Sequence, residues 1–239
     1  EIRLSLVGSE MCIRDSYEQA MALAPKYGMP AANRGVALKE YARCVPDVGH
    51  AYFIHFHAVE SLGAALALQL DSDQIRQHLT AVLSAARTLL GDWTPTTRTF
   101  SLGRSKAERE YRAWALGHRL FLNPLNDLGA LPIAAHDPLM PRSIVTQIGE
   151  GPSHFGFLNA MKQEYASARF MLFQGLHRQG VHYSDRNVKL VNTMDYPVHQ
   201  LATEEVKIAY RLAYSLLDKV AVFINRYFAL GHAEKDVYF

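Results

Sequence analysis

The stretch FINRYFALGH, residues 223–232, carries Arg226 and His232 with five residues between them. A guanidinium is a permanently charged fork of N–H donors that matches phosphate oxygens. An imidazole takes or gives a proton near neutral pH. Side by side, these two groups can hold a phosphate and move a proton next to it. A second explanation is also open, because the dipole at the C-terminal end of a helix favours cations whatever their chemistry. The spacing recurs in RAWALGH, with Arg112 and His118, and nearly so in Arg43 and His50, which span Pro46. On a straight helix, six steps leave Arg226 and His232 about 120° apart, so one face does not carry both. A left-handed cap at Gly231 would turn His232 back toward the bundle.

Other groups offer less chemistry. His50, His57 and Glu60 follow one another at steps of seven and three on one helical face. That spacing suits a metal ion, and equally suits buried, hydrogen-bonded side chains. Asn123, Asn126 and Asp127 in NPLNDLG, and Asn192, Thr193 and Asp195 in NTMDYP, are types that satisfy turn backbone. Lys162, Glu164 and Arg169 are expected to form surface or inter-helix ion pairs. The sequence contains no Gly-rich phosphate loop, nucleophile elbow or Cys–His pairing. No metal and no cofactor is expected.

The elements that must position these groups are helical. The chain has 239 residues, 49% of them hydrophobic, enough for a packed core. With 25 basic against 23 acidic side chains, charge alone does not argue for bulk nucleic-acid binding. Two cysteines, Cys12 and Cys44, make neither a disulfide framework nor zinc spacing. No run of 18 apolar residues is present, so the expectation is a soluble cytoplasmic protein with no membrane segment.

Helices are expected over about 31–44, 48–70 and 73–90. A polar stretch at 94–105 marks a domain boundary. Beyond it, Ser105 and Glu108 form a capping box for a helix reaching about Leu122. Residues 128–153 read as a long loop or a set of short turns, and the next helix covers about 156–176. The last helix begins with Thr203 as its N-cap and stops at Gly231. Its apolar stripe is Val206, Tyr210, Ala213, Leu217, Val220, Ile224 and Tyr227, with Leu212, Leu216 and Phe223 widening one side. No convincing strand pattern appears, and the fold class is all-α.

Three resemblances add to this reading. SLVGSEMCIRDS, residues 5–16, resembles a translated sequencing-adapter read-through, which would make residues 1–16 non-native. YEQAMALAP followed by AANRGVALKEYA resembles a tetratricopeptide repeat, with Asn33, Gly35, Ala37 and Leu38 on the second helix. The expected division is thus a repeat-like region over 17–95 and a helical bundle over 101–239.

The stretches YRAWALGHRLFLNPLNDLG, FLNAMKQEYASARF and SDRNVKLVNTMDYPVHQLATEEVKIAYRLAYSLLDKVAVFINRYF resemble a branch of the HEPN superfamily. In that branch an all-α HEPN domain follows tetratricopeptide-like repeats. The resemblance implies a homodimer with a metal-independent ribonuclease site, acting as a toxin or in phage defence. It assigns phosphate binding to Arg226, proton transfer to His232 and a substrate hydrogen bond to Asn225, with Arg112 and His118 as the weaker alternative pair. Tyr227 departs from the polar residue that often follows the Arg in the superfamily. RNA supplies its own nucleophile, the 2′-OH, so such a site would reject DNA on chemical grounds. The repeats would bind a protein partner. The competing reading is a non-catalytic helical scaffold of the same fold.

Overall fold

A computed structural model describes residues 16–95, 100–141, 153–189, 199–233 and 236–237. Every extended element among them is a helix. Residues 16–23 form α1. The others are α2 (Met29–Cys44), α3 (Val48–Leu66), α4 (Asp73–Leu90), α5 (Lys106–Gly117), α6 (Ser153–His177) and α7 (Leu201–Tyr227). The expected all-α class holds. None of the described helices is long and apolar enough to cross a membrane. Cys12, Asn192, Thr193, Asp195 and most of the adapter-like stretch lie outside the described residues.

The chain divides into two compact units. The first contains residues up to Ser101 and also Phe121–Leu139, while the second contains Leu102–Leu120 and Met140 onward. The packing therefore departs from a simple cut near residue 100, because 121–139 returns to the first unit.

In the first unit, α2 and α3 pack side by side, and α4 covers α3. Ala31, Ala32, Leu62, Ala65, Leu79 and Leu83 make a shared core. Gly35 explains the close approach of α2 to α3. A Cβ there would stand 2.7 Å from Leu62 Cγ, closer than real contacts allow. Asp47 and Ser72 cap α3 and α4 by accepting from the amides of His50 and Ile75. Gly91, at φ 57, ends α4. The returning segment contains two 3-10 turns, Pro124–Leu128 and Pro132–Ala134. It buries Leu125 and Ala134 completely. Asn123 caps the first turn through Leu125 N–H, and the Asn126 amide donates to Phe121 O, so both serve backbone as expected.

In the second unit, α6 and α7 form a long pair with α5 beside α6. Ser105 caps α5 by accepting from Glu108 N–H at 3.0 Å, and the Glu108 carboxylate accepts from Arg104 N–H at 2.8 Å. The helix stops at Gly117 instead of Leu122, because Arg119 turns left-handed at φ 56. The amides of Leu120 and Arg119 then bond to the carbonyls of Ala115 and Leu116. That pair is a Schellman closure with arginine where glycine is usual. Arg169 on α6 is buried and fixes this end, donating to Tyr111 Oη at 2.8 Å and Leu120 O at 2.7 Å.

Helix α7 begins at Leu201 behind Gln200, so Thr203 lies in the first turn and is not the cap. Its orientation also differs from expectation. The middle of the stripe read as core faces outward, with Tyr210, Ala213, Leu217 and Val220 exposed, while Val206, Ile224 and Tyr227 toward its ends are half-buried. The inward line is Glu205, Ala209 and Leu216. The cause is close approach. Gly175 on α6 has room for no side chain, since a Cβ there would be 2.7 Å from Ala202 O. Two ion pairs clamp the same rotation: Arg178 donates to Glu205, and Lys219 Nζ lies 2.7 Å from Glu164 Oε1. Among the sequence-named charges, Glu164 thus pairs with α7, while Arg169 anchors α5.

Candidate functional site

The end of α7 is built by its own backbone. The helix stops at Tyr227, four residues before Gly231. Ala229 adopts the left-handed conformation at φ 49, and Gly231 adopts it again at φ 79. Leu230 N–H bonds to Asn225 O at 3.0 Å, and Ala229 N–H bonds to Arg226 O at 3.2 Å. This is a second Schellman closure, with alanine at its left-handed position.

Beyond it the chain folds back onto α7. Asn225 is 7% exposed, and its side chain grips His232 at the main chain. Its Nδ2 donates to His232 O at 2.8 Å, and its Oδ1 accepts from His232 N–H at 3.1 Å. One side-chain amide therefore satisfies both backbone groups of one residue. Asn225 is adjacent to Arg226, so the main chain of His232 is fixed beside the turn that bears the guanidinium. The 120° objection for a straight helix does not apply, because residues 228–232 are not helical.

Arg226 and His232 are both exposed. The Arg226 guanidinium lies over the Phe157 ring of α6, 6.0 Å from its centroid, in cation–π geometry. Phe157 packs against Phe223 at 6.1 Å. Phe223 stacks on Tyr227 at 5.6 Å. Tyr227, apolar for its position in the motif, thus belongs to an aromatic seam between the two helices. His154 also joins this seam, with ring centroids 6.4 Å from Phe223 and 6.3 Å from Tyr227. Sequence reasoning missed His154. The helix was expected to begin near residue 156, whereas α6 starts at Ser153 and carries His154 on the same face as Phe157.

The weaker pair is arranged differently. Arg112 is on α5 and pairs with Glu108 at 3.1 Å. Glu108 is held below the ordinary carboxylate range, chiefly by the Arg104 amide and then by the Arg112 charge. His118 is the residue after α5, and its Nδ1 is 2.9 Å from Trp114 O. Its ring packs on Trp114. The third pair separates, with Arg43 bound to Glu40 on α2 and His50 lying in the first turn of α3 beside Asp47.

No group of three or more His, Cys, Asp or Glu gathers in a metal-holding arrangement among the described residues. His50 faces His136 at 6.3 Å, and His57 lies between Phe53 and Phe56. Burial lowers the pKa of both histidines.

Residues 145–239 match the family described as LA2681-like HEPN. The matched segment contains His154, Asn225, Arg226 and His232, and excludes Arg112 and His118. It supports HEPN-superfamily character for the all-helical C-terminal part. No curated protein and no solved structure matches the chain.

Proposed function

We propose that the C-terminal part is a metal-independent endoribonuclease of HEPN type. Arg226 binds the scissile phosphate, His232 carries a proton, and Asn225 holds His232 in position. Attack of the 2′-OH forms a bond to phosphorus and breaks the bond to the 5′ oxygen. A base takes the 2′ proton, and an acid protonates the departing oxygen. The guanidinium stabilises charge that builds on the phosphoryl oxygens.

The observation that carries this reading is the double hydrogen bond from Asn225 to His232, within the segment that matches the HEPN family. It holds the main chain of His232 beside the turn that bears Arg226, which supports a site shared by the two residues. A homodimer is part of the proposal. The exposed stripe of Tyr210, Tyr214, Leu217 and Val220 offers it a surface. A role as a toxin or in phage defence, with the α1–α4 region engaging a protein partner, completes the reading.

The second reading is a non-catalytic scaffold, favoured by the same exposed stripe taken alone. Incubation of the purified protein with RNA in EDTA separates the two. Cleavage that disappears in Arg226→Ala and in His232→Ala supports the nuclease. Cleavage that survives in both variants removes Arg226 and His232 from the active site, and a parent protein that cleaves no RNA leaves the scaffold.

A further inference from the structure

We infer that His154 is the second imidazole of the site and contacts the same phosphate as Arg226. The inference rests on the ribonuclease reading for its substrate, and on independent geometry for its residue.

The geometry is a seam between two helix faces. His154 and Phe157 are three residues apart on α6, so they share a face. Phe223, Arg226 and Tyr227 are three and four apart on α7 and form the opposing face. Phe157 meets Phe223, Arg226 lies over Phe157, and His154 meets Tyr227 and Phe223. Three aromatic rings thus fill the seam, with one cation and one imidazole at its border. His154 is half-buried, so packing fixes the ring while part of it remains open to solvent. Arg226 is exposed above the same rings. A phosphate reaching the guanidinium there comes within the neighbourhood of the imidazole.

The chemistry calls for such a group. Cleavage through the 2′-OH moves two protons, one off the nucleophile and one onto the 5′ oxygen. His232 handles one of them. An imidazole at position 154 handles the other, and the products are a 2′,3′-cyclic phosphate and a free 5′-OH. Protons are conserved, because one imidazole gains what the other gives.

Two measurements on the full chain test this. In the first, inorganic phosphate is titrated while the histidine side-chain resonances are followed by NMR, with His154 assigned from the signal lost in His154→Gln. Phosphate is expected to shift the His154 signal, and Arg226→Ala is expected to weaken that response. In the second, the pH profile of RNA cleavage in EDTA is compared for the parent and His154→Gln. The variant is expected to cleave about a hundredfold more slowly or worse, and to lose one limb of the profile. A His154 signal indifferent to phosphate overturns the inference. So does a variant that cleaves at the parental rate with both limbs intact, and the ribonuclease reading then stands without His154. A phosphate response in a protein that cleaves no RNA keeps His154 and Arg226 as an anion site and removes the nuclease.

Discussion

Asn225 and His232 are joined by two hydrogen bonds, from Nδ2 to the carbonyl and from the amide to Oδ1, at 2.8 and 3.1 Å. Asn225→Ala deletes both and leaves two main-chain groups to find water. The expected loss of stability is about 1–3 kcal/mol, read by urea denaturation. Cleavage should fall together with the ordering of His232. Asn225→Asp keeps the acceptor and loses the donor, so it should fall between alanine and the parent in both measurements.

Ala229 and Arg119 occupy the left-handed region, at φ 49 and 56, where a Cβ is disfavoured. Glycine removes that cost, about 1–2 kcal/mol, and returns part of it as chain entropy. Ala229→Gly should stabilise the protein by roughly 0.5–1 kcal/mol in thermal or urea melts. A loss of stability would contradict the left-handed closure described for α7.

Gly175→Ala should be damaging for the opposite reason. The new methyl would meet Ala202 O and Val206 at under 3 Å and push α6 from α7. A cost of about 1–3 kcal/mol is expected. Exposed Gly156, where a Cβ meets nothing within 4 Å, should tolerate alanine in the same assay.

The exposed stripe of α7 predicts association. Tyr210 is 69% exposed and stacks on Tyr214, with Leu217 and Val220 further along the same line. Tyr214→Glu puts a charge at its centre and should shift the protein toward monomer in analytical ultracentrifugation. Its melting temperature at low concentration should be nearly unchanged. A parent that sediments as a monomer at every concentration removes the dimer from the proposal.

The first unit should weaken in mild acid. Burial lowers the pKa of His50 and His57 below the ordinary 6.5; Asp47 and Glu60 pull up, and His136 and Arg34 push down. The unfolded chain then binds the protons more readily than the folded one. Stability present above pH 6.5 is lost as the pH falls through that value toward the folded pKa values. Melting temperature should decline on acidification, and His57→Gln should flatten the decline.

The sequence made the helical class and most helix positions legible, because caps and periodicity are local signals. Helix α4 spans Asp73–Leu90, the range expected for it. Close approach was less legible. The arc of apolar residues on α7 is broad, and Gly175 on the facing helix with the Arg178–Glu205 and Lys219–Glu164 pairs selects which part turns inward. Helix ends that rely on a non-glycine left-handed residue were also hidden. Arg119 and Ala229 carry no composition signal, so α5 and α7 stop earlier than their patterns suggest. At the candidate site, Arg226, His232 and Asn225 were visible as types and spacing. The grip of Asn225 on His232 depends on the fold-back at 228–232, and His154 depends on where α6 begins.

The return of residues 121–139 to the first unit has a consequence for synthesis. Leu125 and Ala134 belong to the first unit but follow α5 in the chain, so they leave the ribosome after α5 has. The first unit therefore emerges incomplete, and α5 appears in the middle of its assembly. A chain stalled or cleaved near residue 120 would present an unfinished α3 surface to chaperones and proteases.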